Sequence, residues 1–223
     1  LGQNVSSVTQ ANYLGKIARV ATCLDPERDW RWLRRIVRRL DLRAKPSDRR
    51  KDVVEIKELC QLGLQLMDQA DNAGPSMSFS RAAMYRDGLI IALLAADPIR
   101  LANITALEIG KTLLKDGMTW SLDIPDSETK ERRPHIAMLP DWCTPRIDRY
   151  IQNYRPFFRN VRSTSRLWLS QRGLPLSEIS LYRSVVKRTR HAFGKPINPH
   201  LIRSCLATSM AVHHGAQIGL ATT

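Results

Sequence analysis

The sequence predicts a mainly α-helical protein with one small antiparallel β-sheet. Three observations carry that reading. Apolar residues recur at helical spacing through the front of the chain, and helical patterns return from Asp141 onward. One stretch, Met118–Ile124, alternates apolar and polar residues with the period of a strand. Hydrophobic residues make up 43% of the 223, the composition of a folded chain rather than a disordered basic tail. That length allows one large domain or two small ones, each with a core.

Each element has its own signal. Leu33, Ile36, Val37 and Leu40 fall at i, i+3, i+4 and i+7, an apolar stripe. Opposite it lie Arg31, Arg34, Arg35, Arg38 and Arg39, so the helix is amphipathic with an arginine face. A second helix follows, its buried side marked by Ile56, Leu59, Cys60 and Met67, with Ser47–Asp48 as the expected N-cap region. The text DNAGPSMSFS, Asp71 to Ser80, is turn-rich and poor in charge and reads as a linker. It divides the chain into domains 1–74 and 75–223. Met84 to Ala96 is a strongly apolar helix stopped by Asp97–Pro98. The strand at 118–124 and a shorter one, His135 to Leu139, flank the polar loop DSETKERRP, giving a hairpin with a long basic tip. Leu107 to Leu114 is expected to supply a third strand. Asn198–Pro199 opens the last helix, with Asn as N-cap, Pro in the first turn and Gly215 at the far end.

Charge narrows the partner. Lys+Arg number 35 against 21 Asp+Glu, a formal net charge of +14 and a pI near 10.2. Through Pro75 there are 14 basic and 10 acidic residues, a surplus of +4; the remainder has 21 and 11, a surplus of +10. Both parts are positive, as in a clamp on one polyanion, for which nucleic acid and an anionic membrane surface are the candidates. The arginine helix has an apolar stripe of core width and no interfacial anchor beyond Trp30 and Trp32, which disfavours the membrane. The longest apolar run, Leu89 to Ala96, is too short to span a bilayer. Cys23, Cys60, Cys143 and Cys205 form no CxxC and no zinc-ligand spacing, and read as thiols in a reducing cytoplasm. No signal peptide is visible, and a start at Leu1 rather than Met suggests a fragment.

Three local texts carry chemistry. PIRLANITALEIG places Arg100 just after the break at Pro98. ETKERRPH sets Lys130 at the hairpin turn, flanked by Arg132 and Arg133. HLIRSCLATSMAV puts His200 and Arg203 at i, i+3 on one helical face. Singly, each is an ordinary surface feature. Their order, Arg, hairpin Lys, then His-x-x-Arg, resembles the catalytic domain of the tyrosine recombinases, the phage integrase family of site-specific DNA recombinases, from about Ser80 onward. The front part is similar to that family's helical core-binding domain in architecture alone.

The resemblance implies an enzyme that attacks a DNA phosphodiester with a tyrosine hydroxyl, forming a 3′-phosphotyrosine and freeing a 5′-hydroxyl. Arg100 and Arg203 match the two guanidiniums that hold the non-bridging oxygens. Lys130 matches the acid for the leaving 5′-oxygen, and His200 the histidine that assists proton transfer. Arginines do the electrostatic work a metal would do, so no metal and no other cofactor is implied. Double-stranded DNA is the implied partner, gripped by Arg31, Arg34, Arg35, Arg38, Arg39, Arg132 and Arg133. The implied assembly is a homotetramer on paired sites, and the implied protein is bacterial or phage-encoded, cytoplasmic and nucleoid-associated.

Two departures stand out. Three residues after the first arginine, where the family often has Glu or Asp, this chain has Asn103. None of Tyr13, Tyr85, Tyr150, Tyr154 or Tyr182 follows the His-x-x-Arg text, and His213 and His214 lie too near Arg203 to be the family's later histidine. The expectation is a chain without its nucleophile, and so inactive as it stands. The competing readings are a DNA-binding accessory protein that lost cleavage, a type IB topoisomerase, and a helix-turn-helix regulator with no need of the hairpin lysine.

Overall fold

The computed structural model describes residues 5–44, 53–129, 132–159 and 161–218 and divides into two compact units, Leu1–Lys51 and Asp52–Thr223. The first unit is a helical pair, α1 (Ser7–Leu24) and α2 (Arg31–Arg43). Ser6 caps α1, its hydroxyl accepting the Thr9 N–H at 3.2 Å. The Asp29 carboxylate accepts the Arg31 N–H at 2.9 Å, and that bond holds its pKa below the ordinary carboxylate value. Small residues at the contact, Ala11, Gly15 and Ala18, let α1 approach α2. Of the apolar stripe on α2, Leu33 is buried while Ile36 is 40% exposed, because a single partner helix covers only part of that face.

The second unit is built around α4. Its partner α3 (Ile56–Asn72) starts at Glu55, which exchanges side-chain bonds with the Glu58 position in a capping box. The expected cap at Ser47–Asp48 lies outside the described residues. Helix α4 (Phe79–Ala96) is buried on every side from Ala82 to Ala95, apart from the half-buried Met84. It meets α3 so closely that a Cβ at Gly63 would lie 2.7 Å from the Gly88 carbonyl oxygen, and the converse contact is equally short. The stretch expected as a linker is the turn between these helices. The Arg81 guanidinium fastens it, donating to the carbonyls of Ala70 (2.5 Å), Asp71 (3.0 Å), Ser76 (3.1 Å) and Gly74. The boundary expected after residue 74 therefore falls inside the second unit.

Next come α5 (Leu101–Ala106) and a three-stranded antiparallel sheet, order β1 (Leu113–Asp116), β2 (Thr119–Ile124), β3 (His135–Met138). Leu113 pairs with Leu122 and Ile124 with His135. Leu113, Trp120, Leu122 and Ile124 turn one face into the core. The third strand is shorter than expected. Residues 108–112 form a turn in which the Glu108 carbonyl accepts from Thr112 and Leu113 and Gly110 takes φ +79°, so pairing with β2 starts only at Leu113.

Helix α6 (Cys143–Arg149) runs on into a π-helical turn, Tyr150–Tyr154. Helix α7 (Glu178–Phe193) is capped by Ser177 and closed by Gly194 at φ +68°. An ion trio, buried at Arg86 and Asp87 and half-buried at Arg188, ties it to α4: Arg188 Nη2 lies 3.1 Å from Asp87 Oδ2, and Arg86 Nη2 lies 2.8 Å from Asp87 Oδ1. Helix α8 (Pro199–Ile218) begins where Asn198 Oδ1 accepts the Leu201 N–H at 2.9 Å, and Gly215 lies inside it rather than at its end. Among the described residues no helix is long and apolar enough to cross a membrane.

Candidate active site

The site is assembled at the end of α4. Asp97 closes the helix, its N–H reaching the Leu93 carbonyl at 2.8 Å, and Pro98 forces extended backbone at Asp97 (φ −141°, ψ 99°). Helix resumes three residues later with Arg100 as the N-cap of α5, whose carbonyl accepts the Ile104 N–H at 2.9 Å. Arg100 thus sits on a bend held between two helices. Arg203 arrives from α8. Leu201, Ile202 and Cys205 bury the inner side of that helix, and Arg203 projects from the other with Nη1 donating to the Pro98 carbonyl at 2.6 Å.

The β2–β3 hairpin supplies the third side. Its Thr129 hydroxyl donates to the Arg133 carbonyl at 2.7 Å and accepts the Arg133 N–H at 3.1 Å. Arg132 takes a left-handed φ of 49°. Lys130 lies outside the described residues, between Thr129 and Arg132. Together these elements enclose a pocket of about 330 Å³ lined by Asp97, Pro98, Arg100, Asn103, Thr129, Arg133, His135 and Arg203, among others. Asn103 Nδ2 reaches the Glu128 carbonyl at 3.4 Å, and His135 Nε2 lies 2.6 Å from Asp97 Oδ2.

So the structure brings Arg100, Arg203 and Arg133 to one pocket. It does not bring His200 there: that side chain is exposed one turn before Arg203 and is not in the lining. Arg132 borders a separate hollow with Asp126, Ser127 and Thr129. Three guanidiniums against one carboxylate, itself engaged by His135, suit a tetrahedral or bipyramidal oxyanion. Among the described residues no group of three His, Cys, Asp or Glu side chains is placed to hold a metal ion.

Sequence reasoning missed the Asp97–His135 pair and a second basic surface. Along α7, Arg183, Lys187 and Arg190 recur at i, i+4 and i+7 beside His191, facing a groove of about 1210 Å³ walled by Leu62, Gln65 and Gln69 of α3. The period was readable; which side faced out was not. In the first unit, all five arginines predicted on α2 are exposed.

The tyrosines sort cleanly. Tyr85, Tyr150 and Tyr154 are buried, and Tyr85 and Tyr154 stack at 4.1 Å. Their hydroxyls donate to the Arg146 carbonyl, the Leu167 carbonyl and the Asp71 carboxylate. Burial pushes all three pKa values up, the Asp71 charge adding to the effect at Tyr85 and Tyr154. Tyr13 and Tyr182 are exposed, but neither lines the pocket.

With that geometry in place, likeness to known proteins is informative. Residues 57–219 match the family model described as the phage integrase family. The tyrosine recombinase XerD of Pseudomonas putida (strain KT2440) is 24% identical over 163 residues, covering 73% of this chain and 50% of the relative. The chain therefore spans about half the length of that curated relative. Two solved structures share the fold at 17% identity: the XerH site-specific recombinase bound to difH substrate before cleavage, and bound to palindromic difH after it. Their TM-scores are 0.53 and 0.52, covering 73% and 71% of this chain and 43% and 42% of theirs.

Proposed function

The chain belongs to the phage integrase family of tyrosine recombinases, and on that premise we propose that it cleaves and rejoins double-stranded DNA at specific sites through a 3′-phosphotyrosine. The observation that carries this reading is the meeting of Arg100 and Arg203 at one pocket beneath the hairpin. A scissile phosphate there takes bonds from both guanidiniums as negative charge gathers on its non-bridging oxygens. Lys130 on the hairpin protonates the departing 5′-oxygen, and His200 assists from the α8 turn after a movement that brings it to the phosphate. The attacking hydroxyl is not one of the five tyrosines, three of which are buried and already bonded.

Duplex DNA is held by phosphate contacts from Arg31, Arg34, Arg35, Arg38 and Arg39 on α2 of the first helical unit, acting as a core-binding domain. Arg132 and Arg133 hold it on the hairpin, and Arg183, Lys187 and Arg190 on α7. Four protomers act on two paired sites, on the nucleoid of a bacterium.

The test uses the full gene product. Arg100→Ala and Arg203→Ala should each lower the cleavage rate roughly 10²- to 10³-fold while DNA affinity changes little. Cleavage at the unaltered rate in either variant would remove that arginine from the mechanism. A second reading, an accessory protein that binds DNA without cutting it, is favoured by Asn103 standing where the family often has an acid. It predicts no covalent adduct even from the full gene product.

A further inference from the structure

The pocket holds one hydrogen-bonded pair that the proposed chemistry does not use. His135 Nε2 lies 2.6 Å from Asp97 Oδ2, joining residues 38 positions apart. We propose that this pair is a latch: it clamps the return limb of the β2–β3 hairpin to the Arg100 bend, and Lys130 on that hairpin acts only while the limb is so held. His135 is then a positioning residue. The proposal rests on the reading that Lys130 is the acid for the leaving 5′-oxygen.

Both ends of the bond are well placed for that task. Asp97 is fixed from behind by its backbone bond to Leu93, by the buried α4 and by the rigid Pro98. His135 opens β3 and pairs with Ile124, the last residue of β2, so it marks the root of the hairpin tip. Strand β3 is an edge strand, held on one side only, by its pairing with β2. Ile136 and Met138 are 71% and 74% exposed, and the inward neighbour Ala137 is small; the first buried apolar anchor is Leu139, four residues beyond His135. On the outgoing limb, the 3.4 Å contact from Asn103 to the Glu128 carbonyl is long for a hydrogen bond. The Asp97–His135 bond is the shorter fastening, and both its members line the pocket. The Asp97 and His135 side chains are 19% and 39% exposed, so solvent reaches the pair.

The experiment separates positioning from mere stability by the leaving group. The full gene product is given an ordinary phosphodiester substrate and one with a 5′-bridging phosphorothiolate, whose sulfur departs as a thiolate without taking a proton. Lys130→Ala should lose cleavage of the ordinary substrate, roughly 10²-fold or more, and recover on the thiolate. His135→Ala should lose up to about 10²-fold on the ordinary substrate, as a misplaced group does, and likewise recover on the thiolate. His135→Gln keeps a side-chain N–H for Asp97 and should stay near the parent rate on both. An equal loss on both substrates for His135→Ala, with Lys130→Ala rescued, overturns the latch and leaves the lysine's role standing. No rescue of Lys130→Ala overturns that role, and the latch with it.

A second measurement needs no cleavage chemistry. In the 223-residue protein, trypsin should cut after Arg132 faster in His135→Ala than in the parent or in His135→Gln. An unchanged rate in His135→Ala overturns the latch whatever Lys130 does.

Discussion

Replacing Arg34, Arg35 and Arg38 together by alanine tests whether the arginine face of α2 meets DNA phosphates. All three side chains are exposed, and the buried residue of that helix is Leu33, so the substitutions remove charge without opening the core. Alanine is the best helix former, which keeps α2 intact. Each phosphate neutralised contributes about −0.9 to the slope of log K against log salt, so losing three contacts should flatten the slope by about 2.7. Between 50 and 200 mM salt, the advantage of the parent over the variant should therefore shrink by roughly 40-fold. Fluorescence anisotropy with a labelled duplex at four or five salt concentrations measures both slopes. Circular dichroism on the same samples checks that helix content is kept. Weaker binding with an unaltered slope would mean that these arginines do not sit on phosphates. Unaltered affinity at every salt would leave the face as solvated surface.

Three further outcomes are expected. The 223-residue chain should form no covalent adduct with either the ordinary or the phosphorothiolate substrate, and a shifted band on a denaturing gel would mean that one of its five tyrosines is the nucleophile. Gly88→Ala gains about 1 kcal/mol of helix propensity, but its Cβ would lie 2.7 Å from the Gly63 carbonyl oxygen. Forcing α3 and α4 apart should outweigh that gain and leave a net loss of about 1–2 kcal/mol in urea unfolding; a stabilised variant would refute the close contact. Burial pushes the Cys143 thiol from 9.0 up to about 12. The unfolded thiol ionises first as pH rises, so this contribution to stability is complete below pH 9 and is lost between 9 and about 12. Unfolding midpoints that fall less steeply over that range in Cys143→Ala would bear this out, and identical profiles would refute it.

What was legible in the sequence was local. Alternation located β2, an apolar run stopped by Asp97–Pro98 located most of α4, and the Asn198–Pro199 start of α8 holds in the bond to the Leu201 N–H. The failures share a cause: they depend on contacts distant in sequence. The turn at 71–80 has a linker's composition, yet Arg81 ties it down and the facing glycines Gly63 and Gly88 press its two helices together. Nothing near Gly63 announces a partner 25 residues away. The stretch from Leu107 has a strand's apolar content, but the Gly110 turn delays pairing with β2 until Leu113. The site was half legible. Arg100 and Arg203 could be named from the resemblance to the family, and both line the pocket. His135 looked like the first residue of a short strand, because its carboxylate lies at the end of a different helix.

The pocket's construction explains why so short a segment carries so much of it. Residues 97–103 join two helices, and three other elements fasten to them: α8 through Arg203 to the Pro98 carbonyl, the outgoing hairpin limb through Glu128 to Asn103, and the returning limb through His135 to Asp97. Guanidiniums stabilise a developing oxyanion only if they are held in place beforehand, since reorganising them during reaction would consume the gain. Here the holding comes from α4, the most deeply buried helix of the unit, which ends abruptly at Asp97–Pro98 and passes its rigidity to Arg100. Arg203 gains the same rigidity at second hand, because one of its nitrogens bonds the Pro98 carbonyl while the rest of the guanidinium remains to meet a phosphate.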